Sequence, residues 1–101
     1  FITVHSIMNT ENTCRTYNVL GQIFFASSEQ FIRSFDFKEA IDKIIIDVSQ
    51  AHFWDITAVS SLDKVIVKFR KAGADIHITG MNQATEALIN RFGVHTHPLK
   101  S

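Results

Sequence analysis

The chain has 101 residues, ten basic and ten acidic, for a formal net charge of zero. That length suits one domain, and the 46% hydrophobic content with nine Phe supports a buried core rather than disorder. A neutral balance does not advertise nucleic acid or an anionic membrane surface as the main partner, and no run approaches the roughly 20 apolar residues needed to span a bilayer. Cys14 is the single cysteine, so an internal disulfide or multi-cysteine metal site is excluded; it reads as a small hydrophobe in or near a strand. The opening on Phe1 rather than Met predicts a piece excised from a longer polypeptide.

In chain order, residues 14–20 have strand composition with rough alternation. Gly21 interrupts, and Gln22-Ile23-Phe24-Phe25 resumes, which predicts two strands joined at a bend. Ser27 and Gln30 have capping-box spacing ahead of Phe31, Ile32 and Phe35, so a first helix is expected over about 28–35. Residues 38–43 are more polar and suit a further helical turn. The continuous apolar run Ile44-Ile45-Ile46-Asp47-Val48 reads as the central buried strand. From Asp47 the pattern turns polar, predicting a loop over 47–58 that ends at a helix start.

The second helix is the clearest element. Val59, Leu62, Ile66 and Phe69 recur at spacings of three and four, and Gly73 sits where a left-handed C-terminal cap belongs. Asp75-Ile76-His77-Ile78-Thr79 alternates as a further strand ending at Gly80. Asn82 is placed to cap a third helix carrying Ala84, Leu88 and Phe92, stopped by Gly93, with Pro98 in a polar tail. Strands alternating with helices imply one α/β domain with a mainly parallel sheet of four or five strands and three to four helices.

The loop 47–58 is the place to look for function. Amides at a helix start are unpaired and partly positive, so they attract a capping oxygen or an anion. Asp55 and Thr57 are the sharpest candidates: either oxygen would cap the helix for about 1 kcal/mol, and a regulatory or ligand-contacting role is compatible with that. Asp47 and Ser49 follow the end of a strand, where open α/β sheets bind ligands, though an Asx or Ser turn accounts for them too. Phe53 and Trp54 fit the core by default, or a lid or contact surface. His5, His52, His77, His95 and His97 are too scattered for a metal centre, no Gly-rich phosphate loop exists and no nucleophile elbow surrounds a Ser. Neither an enzyme, a cofactor nor a metal site is therefore expected.

Three stretches together resemble a known module: Gly21-Gln22-Ile23-Phe24-Phe25-Ala26-Ser27, Ile46-Asp47-Val48-Ser49 and Asp55-Ile56-Thr57-Ala58. They look like a STAS domain, the fold shared by anti-sigma-factor antagonists and the cytoplasmic tails of sulfate permease (SulP) family anion transporters. The likeness runs from about Cys14 to Gly93, and the Gly-x-Ile-Phe-Phe-Ala and Asp-x-Thr-Ala stretches resemble the transporter branch. In antagonists the residue after the loop Asp is a phosphoacceptor Ser read by a kinase; the matching position here is Ile56, which has no hydroxyl, and Thr57 follows it as the alternative acceptor. The resemblance implies a non-catalytic domain at the cytoplasmic face of a bacterial inner membrane, attached to the transmembrane domain of its parent transporter. It further implies a homodimer of that parent and a cytosolic regulatory protein as partner, with residues 47, 49 and 53–57 as the contact or ligand loop. A free-standing antagonist-like switch and a nucleotide or anion sensor are the competing expectations.

Overall fold

A computed structural model describes residues 1–82 and Glu86. Four strands form one mixed sheet in the order β1 (Ile2–Met8), β2 (Cys14–Ile23), β3 (Lys43–Phe53) and β4 (Asp75–Thr79). β1 runs antiparallel to β2, whereas β2, β3 and β4 are mutually parallel. A 3-10 turn (Phe25–Ser27) leads into α1 (Ser28–Arg33), and α2 (Ile56–Lys71) joins β3 to β4. The expectation of a mainly parallel sheet is thus corrected to a mixed one, because the first strand is a β1 that the sequence reading left unassigned. The third helix proposed from Asn82 falls largely outside the described residues.

β2 is one strand, not two. Gly21 lies inside it with φ +115°, opposite Ile2, and a Cβ there would run into the Phe1 carbonyl. Glycine at 21 is therefore a requirement of the close β1 approach rather than a chain break. β3 likewise continues five residues past the apolar run. Between Asn18 and Leu20 of β2, β3 spends one extra residue, so the inward set shifts from Ile44, Ile46 and Val48 to Ala51 and Phe53. That bulge disguises the strand as a loop in the sequence. No helix forms over 38–43, where a turn precedes β3.

The core is built from one face of the sheet and the apolar stripes of both helices. Tyr17, Val19 and Ile23 of β2, Ile46 of β3 and Ile78 of β4 pack with Phe31 of α1 and Val59, Leu62, Ile66 and Phe69 of α2. Aromatic rings tie the helices to the sheet: Phe31 meets Phe53 edge-on at 5.8 Å, and Tyr17 lies 4.7 Å from Phe35. α2 ends as its sequence predicts. Gly73, with φ +90°, donates to the Arg70 carbonyl at 3.0 Å and Ala74 to Phe69 at 3.0 Å, the paired bonds of a Schellman cap. Away from this layer, Arg15 of β2 grips Glu39 through Nε and Nη2 at 2.6 and 2.8 Å, while its Nη1 donates to Ser6 of β1 at 2.9 Å.

Candidate functional site

Asp55 organises the end of the molecule where β2 and β3 deliver their chains to the helices. Its backbone is extended (φ −148°), and its Oδ1 accepts from the Ala58 amide at 2.8 Å, capping α2. The second carboxylate oxygen, Oδ2, accepts from the Phe25 amide at 3.0 Å, at the start of the 3-10 turn. One side chain thus ties together the two segments that enter the helices. Thr57 does not cap; it is exposed on the first turn of α2, with its hydroxyl available. The α1 start differs from expectation as well. Ser27 makes no side-chain cap to α1 but accepts from the Phe24 amide at 3.0 Å and donates to the Gln22 carbonyl at 3.1 Å, locking the end of β2.

Among the described residues, three of the five large apolar side chains left exposed lie on the segments joined by this carboxylate: Trp54 (64% exposed), Ile56 (57%) and Phe25 (71%). Trp54 continues the β2–β3 ladder, its amide donating to the Ile23 carbonyl at 2.9 Å, and its indole N–H donates to the Gln22 side chain. Its ring lies 5.9 Å from that of His52. Phe53, by contrast, is buried against Phe31 and belongs to the core alone. Beside Phe25 and Ile56, an open groove of about 430 Å³ runs between α1 and the first turns of α2, lined also by Thr57, Ile32, Ser60 and Lys64.

Asp47 and Ser49 do not face this groove. They lie on β3 at the bulge, where Asp47 Oδ1 accepts from the Ser49 amide at 2.9 Å. Gly80 closes over them: with φ +77°, its added Cβ would stand 2.6 Å from Asp47 Oδ1 and 2.7 Å from Ser49 Cβ. The geometry therefore splits the expected loop into two places. Residues 54–57 share a surface with the helices, and Asp47 and Ser49 order the strand bulge under Gly80. Phe25 and Ile32 were missed because they come from a segment far away in sequence, and Ser60 and Lys64 because nothing in the α2 pattern separates its groove-facing polar positions from its solvated ones. The signal that could have found Phe25 is its doublet with Phe24 just before a polar helix start. Among the described residues no group of three His, Cys, Asp or Glu side chains forms a metal site, and no described helix is long and apolar enough to cross a membrane.

A mixed four-stranded sheet with two helices over one face, and exposed apolar side chains beside a capping carboxylate, define a small α/β domain. The chain belongs to the STAS domain family, whose profile matches residues 5–99. It is 39% identical over 77 residues to the putative sulfate transporter YbaR of Bacillus subtilis, an alignment covering 76% of this chain and 16% of that protein. The chain thus corresponds to a small part of that curated relative. Among solved structures, an antisigma-factor antagonist STAS domain from Rhodobacter sphaeroides matches with a TM-score of 0.80 at 48% identity, over 84% of this chain and 92% of the other. The SulP transporter STAS domain of Vibrio cholerae matches with a TM-score of 0.64 at 27% identity, over 87% of this chain and 68% of the other. The anti-sigma-factor antagonist SpoIIAA, at 12% identity and a TM-score of 0.66 over 91% of this chain and 86% of the other, shares the fold.

Proposed function

We propose that this STAS domain is the regulatory and interaction domain of a SulP-type anion transporter, acting at the cytoplasmic face of the membrane and carrying no catalysis. Its working surface is the apolar patch of Phe25, Trp54 and Ile56 around Asp55, with Thr57 at its edge. The observation that carries the reading is Ile56. The resemblance puts a phosphoacceptor Ser at this position in antagonists, and here it is an exposed apolar side chain, suited to contact rather than to a phosphoswitch. The likeness to YbaR supports the transporter branch. Such a patch fits the parent's transmembrane domain or a cytosolic regulatory protein, because apolar side chains rimmed by polar groups are the usual make-up of a contact surface.

A second reading has its own support: the 48% identity to an antisigma-factor antagonist STAS domain. In that reading the domain is a free-standing switch, and Thr57, exposed at a helix start where a phosphate is electrostatically favoured, is the acceptor. Fractionating the source cells and probing with an antibody to this domain separates the two. The transporter reading predicts a band far larger than 11.4 kDa in the membrane fraction, released only by detergent. A soluble band near 11.4 kDa would overturn it in favour of the switch.

A further inference from the structure

We draw no further inference here: the strongest candidate, the open groove of about 430 Å³ between α1 and the first turns of α2, belongs to the surface already described, and nothing in the structure shows what covers it.

Discussion

The Asp55 carboxylate makes two bonds of different kinds, and substitution can separate them. Oδ1 caps α2 at the Ala58 amide, and Oδ2 holds the Phe25 amide 30 residues away in sequence. Losing an Asp cap costs about 1 kcal/mol. The bond to Phe25 has a charged acceptor but is only partly shielded from water, so about 1 to 1.5 kcal/mol is a fair value for it. Asp55→Ala removes both and should cost about 2 to 2.5 kcal/mol. Asp55→Asn keeps one carbonyl oxygen, which can serve either amide but not both, and should cost about half as much. At about 4 to 8 °C per kcal/mol for a domain near this size, the alanine variant should melt roughly 10–20 °C lower and the asparagine variant roughly 5–10 °C lower. Urea titration at constant m-value gives the same comparison in free energy. Equal losses in the two variants, or an alanine loss below about 0.5 kcal/mol, would refute the two-bond account.

Gly80→Ala should destabilise the domain more than Gly73→Ala. Both glycines have positive φ, but the new methyl at 80 meets Asp47 and Ser49 whereas that at 73 meets open space, so the first should exceed the roughly 1 kcal/mol backbone cost by a further steric term visible in urea titrations. Tyr17 is the only tyrosine, and burial raises its phenol above the ordinary range, which favours the neutral form in the folded chain. The unfolded chain ionises first as pH rises, so this contribution is intact below the ordinary tyrosine range and lost as pH climbs through it. Absorbance titration near 295 nm should show a delayed transition, and Tyr17→Phe should flatten the alkaline loss of stability relative to the parent; an ordinary midpoint would contradict the burial. Arg15→Lys loses the two-pronged grip on Glu39, and a double-mutant cycle with Glu39→Gln should return a coupling of about 0.5 to 1.5 kcal/mol, modest because both side chains are about a quarter exposed.

Where one periodicity ruled, as in α2 with its Asp55 start and Gly73 end, the sequence was sufficient, because burial and capping act within a few residues of each other. It failed where a distant segment decides the local structure. Gly21 reads as a break until the Phe1 carbonyl is placed beside it, and the end of β3 reads as a loop until the bulge at Val48 and Ser49 is seen to reset the alternation. β1 carries strand-forming Ile, Thr and Val, but on an edge its inward and outward positions are too mixed to announce a strand. The candidate surface was legible in part for the same reason. Residues 54–57 are contiguous and stand out in the sequence, whereas Phe25 and Ile32 reach the groove only through the packing of α1 on α2. Asp47 and Ser49 were marked for their polarity at a strand end, which here serves the bulge and the approach of Gly80.

The central claim is that the exposed patch around Asp55 regulates anion transport, and the direct measurement is sulfate uptake by the full-length polypeptide carrying this domain. Trp54→Ala and Ile56→Ser remove exposed apolar surface without touching the Asp55 bonds, so the domain should keep its melting temperature and the polypeptide its abundance in the membrane. Under those conditions the account predicts uptake altered severalfold in both variants. Parental uptake rates in both, at equal membrane abundance, would contradict it.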